Sequence, residues 1–287
     1  MIEGIESFGR MMEDPHKGWP TFGDIQEGRV FTDENIVNDV ENKLQEYRYC
    51  LIRGAEGRGK TVLARIVGDN KDREGWNVIF IDVRGVRREH ITGICDFYIK
   101  PEGKKSLFII ENAHFSPDEI TPKLMESANK QDKSSFIFTS RKIFPRNERR
   151  LISNPFEEWE ENGWYVDLKS GLDMARGMIH IKNPAYSLTK EDESWLEREF
   201  GEQNLNLRRL NWYLDTWGKM GGPLSAIPKE KVLEEILNYF IEELKDGDLE
   251  EMLLKVAGIF QFDVDFYGRD YDRTYLTELV KRVLITF

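Results

Sequence analysis

Between positions 50 and 61 the chain reads Cys50-Leu51-Ile52-Arg53-Gly54-Ala55-Glu56-Gly57-Arg58-Gly59-Lys60-Thr61. From Gly54 onward these residues fit the pattern G-x-x-x-x-G-K-[ST], in which a glycine-rich loop joins a strand to a helix. A short apolar run precedes the loop, and an amphipathic segment follows it, with apolar residues at Val62, Leu63, Ile66 and Val67. This order of strand, loop and helix predicts a phosphate-binding loop.

The loop is expected to hold a nucleotide mainly through its backbone. Glycines let the chain curve around the β-phosphate with its N–H groups pointing inward. Lys60 is placed to bridge the β- and γ-phosphates, and the Thr61 hydroxyl is a ligand for Mg²⁺. The candidate nucleotide-binding residues of this segment are Gly54, Glu56, Gly57, Arg58, Gly59, Lys60, Thr61 and Val62.

Short apolar runs recur along the chain on both sides of this loop. They cover Tyr49 to Arg53, Val78 to Val83, Leu107 to Ile110, Phe136 to Thr139, and Trp164 to Leu168. Continuous apolar strands that alternate with helical patterns are typical of a parallel sheet covered on both faces. We therefore predict an α/β fold of the P-loop NTPase type, a parallel sheet flanked by helices, with the ligand at the carboxyl ends of the strands.

The second half of the site is predicted at the ends of two other strands. Glu111 ends a buried run and is the candidate carboxylate on the metal side, so that Thr61 and Glu111 would share Mg²⁺. Asn112 follows it, where many ATPases carry a second acid, and an amide orients water but cannot take its proton. Arg141 follows the Phe136 run and is the candidate sensor of the γ-phosphate. Glu111, Asn112 and Arg141 are the candidate catalytic residues.

The chain divides by pattern into four parts. Residues 1–30 are predicted to form an arm, residues 31–170 the core, residues 171–222 a helical lid, and residues 223–287 a helical or winged-helix-like segment. The first core helix is expected after a cap at Thr32 or Asp33. Phe31 beside it is a candidate for the adenine pocket, and Arg208, in the predicted lid, is a candidate for reaching the nucleotide.

The composition of the chain excludes several classes of protein. The chain has 287 residues and a net charge of -11, which argues against a surface built throughout to bind nucleic acid. Its two cysteines offer no disulfide framework or zinc spacing, and no segment has the ~18 apolar residues of a membrane helix. We expect a cytoplasmic protein that makes no membrane contact.

The glycine loop, the strand ending in Glu111-Asn112 and the Thr139-Ser140-Arg141 segment, followed by helices, together resemble P-loop ATPases of the AAA+/STAND group. The resemblance is closest to STAND signalling NTPases and covers about residues 30 to 220. It implies a five-stranded core in which one strand separates the acid-bearing strand from the loop strand, followed by a helical lid. It also implies ATP/ADP and Mg²⁺ as ligands, ATP-driven oligomerisation, slow hydrolysis that acts as a timer, and a role as a homo-oligomer or as a subunit of a larger complex.

Two alternatives stay open at the level of sequence. An AAA+ ATPase that remodels DNA or protein would use the basic clusters that follow two strands, which include Arg84, Arg87, Arg88, Arg141, Lys142, Arg146, Arg149 and Arg150. These clusters make nucleic acid a possible partner, although a solvated basic face is the more common reason for such a run. A nucleotide-binding scaffold without turnover is the second alternative, and Asn112 is the reason to consider it.

Overall fold

The strand that leads into the glycine loop lies inside a six-stranded sheet. The computed structural model describes residues 5–7, 12, 20–55, 57–83, 86, 105–115, 120–130, 134–141, 155–168, 172–201, 206–232 and 234–236. Its strands are β1 Ile5–Ser7, β2 Tyr49–Arg53, β3 Asn77–Asp82, β4 Ser106–Glu111, β5 Ser134–Ser140 and β6 Tyr165–Asp167. Each of the five predicted apolar runs therefore forms a strand.

The strands lie in the order β1-β3-β4-β5-β2-β6. Strands β2 to β6 pair in parallel, and β1 pairs with β3 in the antiparallel direction. Strand β5 lies between β4, which carries Glu111, and β2, which leads into the loop. This confirms the five-stranded parallel core and the expectation that one strand separates the acid-bearing strand from the loop strand. The antiparallel edge strand, contributed by the predicted arm, is an addition that the sequence pattern did not indicate.

Helices cover both faces of the sheet. On one face, α2 (Glu34–Tyr47) and α3 (Lys60–Arg73) bury apolar residues against the strands; on the other lie α4 (Ile120–Asn129) and α5 (Glu157–Glu161). The short helix α1 (Phe22–Gln26) lies within the predicted arm. Asp33 caps α2, because its Oδ1 accepts a hydrogen bond from the Asn35 backbone N–H at 3.0 Å. Of the two residues predicted for that cap, the structure uses Asp33.

The alternation of side chains decides which strand residues face α3. Leu63 and Ile66 of α3 share a buried cluster with every second residue of the strands, including Val78 and Leu107. Residues at the intervening positions, among them Ile79 and Phe108, pack into the cluster of the opposite face. Because side chains alternate along a strand, the even positions of β3 and the odd positions of β4 lie on the face of α3. Asp82 and Glu111 continue these two series.

The described residues form two compact units. The first is drawn from residues 1–55 and 59–169, and the second from residues 56–58 and 170–287. The second contains α6 (Leu172–Lys182), α7 (Lys190–Phe200) and α8 (Leu207–Met220), which agree with the helical patterns of the sequence. The predicted C-terminal segment falls mostly outside the described residues. Among the helices of the described part, none has the length and apolarity needed to cross a membrane.

A buried carboxylate organises the second unit. Asp192 accepts hydrogen bonds from the Tyr186 hydroxyl at 2.6 Å, from the Thr189 N–H at 3.0 Å and from the Ser225 N–H at 2.7 Å. Burial alone would raise the pKa of Asp192, but these donors outweigh it and lower that pKa to about 2. The charged carboxylate thus ties the start of α7 to the turn at Leu224–Ala226.

Candidate nucleotide site

The glycine loop ends at Gly59, which is the N-cap of α3. Its backbone is left-handed, with φ of +85°, and it offers no side-chain cap to the first turn of the helix. The N–H groups of that turn therefore receive no hydrogen bond acceptor from an N-cap side chain. A 14-residue helix begins at this point, so these donors and the helix dipole favour an anion here.

Lys60 lies over the loop that it follows. Its Nζ donates hydrogen bonds to the Gly54 carbonyl at 3.0 Å and to the Ala55 carbonyl at 2.9 Å. The Gly54 N–H in turn donates to the Ser140 carbonyl at 3.3 Å. The ammonium group therefore lies inside the curve of the loop, and β5 supports the start of the loop.

A hydrogen bond links Thr61 to Glu111, although the two residues are 50 positions apart in the sequence. The Thr61 hydroxyl donates to Glu111 Oε2 at 2.9 Å, and Glu111 is only 3% exposed. Burial lowers the pKa of the neighbouring Arg65 guanidinium on α3, and the Glu111 charge opposes this effect. The buried carboxylate thus has both a hydroxyl partner and a nearby cation, as a charge removed from water requires.

The residue pair Thr61 and Glu111 fits Mg²⁺ by chemistry and by distance. Both supply oxygen, which is the ligand atom that Mg²⁺ prefers. Two neighbouring ligands of an octahedral Mg²⁺, each ~2.0–2.1 Å from the metal, are roughly 2.9 Å apart. The Thr61 Oγ1 to Glu111 Oε2 distance of 2.9 Å equals that spacing.

Asn112 turns out of β4 in a left-handed conformation, with φ of +59°. Its backbone N–H donates to Thr139 Oγ1 at 3.1 Å, and its side-chain Nδ2 donates to Asp82 Oδ1 at 3.1 Å. Asparagine tolerates this conformation better than most residues. The structure therefore brings together the ends of β3, β4 and β5 and adds Asp82, which the sequence reasoning did not select.

Arg53, which directly precedes the loop, is held by a partly buried ionic network. It donates from Nε to Asp167 at 2.6 Å, forms an ion pair with Glu160 at 2.5 Å, and stacks 3.6 Å from the centre of the Tyr165 ring. Burial acts to lower the pKa of Arg53, but the two carboxylates raise it overall. The network fixes the end of β2 against β6. The sequence reasoning missed it because its partners lie more than 100 positions away.

The remaining candidates are placed as follows. Arg141 lies directly after β5 and is partly exposed, and Val62 packs at the edge of the cluster between α3 and the sheet. Phe31 is half-buried just before α2. Arg58 is partly exposed within the loop, whereas Glu56 lies outside the described residues, and Arg208 is in the first turn of α8. The roles of all these residues stay predictions.

The sequence profile of the family described as Novel STAND NTPase 3 matches residues 31–181, more than half of the chain. The chain belongs to this family. The range matched by Novel STAND NTPase 3 includes the glycine loop and the strand that ends in Glu111. The resemblance to the AAA+/STAND group inferred from the sequence is thus confirmed. No curated protein sequence matches the chain.

Solved structures of AAA+ proteins resemble this member of Novel STAND NTPase 3. A replication initiator DnaA bound to AMPPCP and single-stranded DNA matches with a TM-score of 0.51 at 19% identity, over 87% of this chain and 75% of that one. AMPPCP-bound DnaA from Aquifex aeolicus matches with a TM-score of 0.49 at 17% identity, over 94% and 80%. The Thermotoga maritima RuvB Holliday junction branch migration motor gives 0.44 at 15% identity, over 87% and 82%. The first of these similarities shows a shared fold.

Gly57 supports a specific prediction about the loop. It belongs to the second unit, where its carbonyl accepts a hydrogen bond from the Leu207 N–H at 2.8 Å. Its φ is +69°, and a Cβ added there would lie 2.3 Å from Asn206 Oδ1. Because Asn206 is buried and caps α8, it has little room to move. Gly57→Ala is therefore expected to displace the loop and weaken ATP affinity about tenfold, measured by calorimetric titration.

Gly28→Ala is the matched control for this variant. Gly28 has nearly the same φ, +66°, but nothing lies within 4 Å of its added Cβ. This variant is expected to lower the free energy of unfolding by about 1 kcal/mol through backbone strain and to leave ATP affinity unchanged. Equal ATP affinity in the two variants would contradict the role assigned to Gly57.

Proposed function

We propose that the protein is a Mg²⁺-dependent ATP-binding switch that hydrolyses ATP slowly and whose nucleotide state controls its assembly with itself or with a partner. The observation that carries this proposal is the 2.9 Å contact between Thr61 of the loop and Glu111 of β4. It joins the two parts that a P-loop NTPase uses to hold a metal–nucleotide complex. ATP and ADP are the expected nucleotides, since the DnaA structures that resemble this chain were solved with the ATP analogue AMPPCP.

Slow hydrolysis is proposed from the chemistry of Asn112. The residue after Glu111 carries an amide, and an amide has no basic group to accept a proton from water. Slow turnover suits a switch, because the ATP state must last long enough for a partner to respond to it. Arg141, directly after β5, is proposed to sense the γ-phosphate.

The domain roles follow from the same proposal. Residues 31–170 would bind the nucleotide and residues 171–222 would act as a lid, with residues 1–30 as an arm and residues 223–287 as a further helical segment. The neighbour structures include nucleic-acid proteins, but a similarity at such low identity extends only to the fold. We therefore treat DNA or protein remodelling as an outcome of the test and not as a second proposal.

The test is the mass of the full chain, measured by light scattering after size-exclusion chromatography, in Mg²⁺ with ADP and in Mg²⁺ with AMPPCP. We expect a larger assembly with AMPPCP, and no change in the Lys60→Ala variant. Phosphate release is measured on matched samples with ATP. Rapid release without a change in mass would favour a remodelling ATPase, and bound nucleotide with neither change would favour a scaffold.

A further inference from the structure

The end of β3 carries an acid, Asp82, that lies outside the motifs identified in the sequence. Asp82 is the register partner of Glu111 in the parallel pair of β3 and β4. Both residues continue the series of side chains that face α3, the helix that begins at the glycine loop. Asp82 therefore lies on the same face and at the same edge of the sheet as the Thr61–Glu111 pair.

A hydrogen bond links Asp82 to Asn112, the position at which many ATPases carry a second acid. Asn112 Nδ2 donates to Asp82 Oδ1 at 3.1 Å, while the Asn112 backbone N–H donates to Thr139 Oγ1 at 3.1 Å. Asn112 is thereby fixed at two points, and its amide orients the Asp82 carboxylate. Asp82 is half-buried, whereas Glu111 is almost fully buried. Of the two carboxylates, Asp82 is the more accessible to water.

We propose that Asp82 is the general base for ATP hydrolysis, with Asn112 as the residue that positions it. This inference rests on the proposed function, since it needs ATP bound at the glycine loop. The oxygen of a water molecule forms a bond to the γ-phosphorus, and the bond from that phosphorus to the β–γ bridging oxygen breaks. One proton of the water passes to the Asp82 carboxylate and then to solvent, which leaves ADP and inorganic phosphate.

The division of labour between the two acids follows from their surroundings. Glu111 is bonded to the Thr61 hydroxyl and lies near the Arg65 cation, so it suits the metal side. Asp82 accepts a hydrogen bond from the Asn112 amide and is more exposed to water than Glu111, so it suits the role of proton acceptor. Relocation of the base to β3 explains how this chain can hydrolyse ATP although its β4 motif ends in Glu111-Asn112.

The test is single-turnover hydrolysis of ATP labelled at the γ-phosphate, with Mg²⁺ and the full chain in excess, alongside calorimetric ATP affinity. Asp82→Asn keeps an oxygen that can accept the Asn112 hydrogen bond and removes only the charge and the basicity. We expect its hydrolysis rate to fall about 100-fold, with ATP affinity and melting temperature unchanged. Asp72→Asn, at an exposed acid in α3, is the control and should behave like the wild type.

A double variant distinguishes the need for a carboxylate from the need for the Asp82–Asn112 hydrogen bond. Asp82→Asn combined with Asn112→Asp exchanges the carboxylate and the amide across the same hydrogen bond, and aspartate also tolerates the left-handed backbone. We expect it to recover hydrolysis to within about tenfold of the wild type, since the acid then occupies the position usual in ATPases. A double variant as slow as Asp82→Asn would overturn the inference.

The remaining outcomes distinguish this inference from the proposed function. If Asp82→Asn hydrolyses ATP at the wild-type rate, the assignment of Asp82 falls and the switch stands. If the wild-type chain binds ATP but never hydrolyses it, the inference falls and a non-hydrolysing switch or scaffold remains. If the wild-type chain does not bind ATP, both fall. A loss of affinity in Asp82→Asn that matches its loss of rate would show a structural role and would also overturn the inference.

Discussion

Replacement of Lys60 by alanine is expected to weaken the binding of ATP and ADP by at least about 100-fold. Two effects act in the same direction. The variant loses the charge-assisted hydrogen bonds that the ammonium group would make to the phosphates, each worth roughly 1.5–3 kcal/mol, and about 1.4 kcal/mol corresponds to tenfold in affinity. It also loses the hydrogen bonds from Nζ to the carbonyls of Gly54 and Ala55, which shape the loop.

The measurement is calorimetric titration of the full chain with ATP in Mg²⁺, together with a thermal melt. Lys60 is only partly buried, so the fold should persist in the variant. Lys71→Ala is the matched control, because Lys71 lies in the last turn of the same helix and bonds to Glu74. Unchanged ATP affinity in a folded Lys60→Ala variant would remove the nucleotide site from the glycine loop, and the proposed function with it.

Glu111→Gln is expected to leave ATP binding within about threefold of wild type and to slow hydrolysis at least about 100-fold. Glutamine keeps an oxygen that can accept the hydrogen bond from the Thr61 hydroxyl, so the contact at 2.9 Å can persist. The charge that would hold Mg²⁺ is lost, and with it the favourable interaction between the Glu111 charge and the nearby Arg65. We therefore expect the dependence of turnover on Mg²⁺ concentration to shift to higher concentration.

Hydrolysis measured across a series of Mg²⁺ concentrations checks this expectation, with Glu126→Gln as the control. Glu126 is exposed on α4 and pairs with Lys130, so its charge is remote from the proposed chemistry. Full activity with an unaltered Mg²⁺ dependence in Glu111→Gln would assign the metal-side acid to another residue. Of the described carboxylates, Asp82 would then be the first to test, because it is the register partner of Glu111.

The local pattern of apolar residues was sufficient to predict the parallel core of the sheet. Each apolar run, such as Tyr49 to Arg53, is continuous because both faces of a central strand are covered, and this burial leaves a sequence signal. The arm strand β1 has only three residues and pairs at the sheet edge, so it leaves no comparable signal. The boundaries proposed for the arm, core, lid and C-terminal segment remain predictions.

Long-range contacts were beyond the reach of sequence reasoning. Arg53 meets Asp167 because β6 lies beside β2, and it also pairs with Glu160 of α5. Nothing in the local sequence indicates either partner. Asn206 likewise lies next to Gly57 although the two residues are far apart in the sequence. In the sequence alone, a charged residue at the end of a strand cannot be distinguished from a polar residue that simply ends the strand at the surface.

The sequence by itself determined the phosphate loop, the parallel strands and the family, because a glycine motif and buried strands depend on neighbours in the chain. It also led to the prediction that Thr61 and Glu111 share a metal site. Only the tertiary structure decided that these two oxygens lie 2.9 Å apart and that Asp82 is bonded to Asn112. The physical reason is that strand pairing and register join segments that are distant in the sequence. The register of β3 with β4 places the Asp82 and Glu111 carboxylates at the same edge of the sheet.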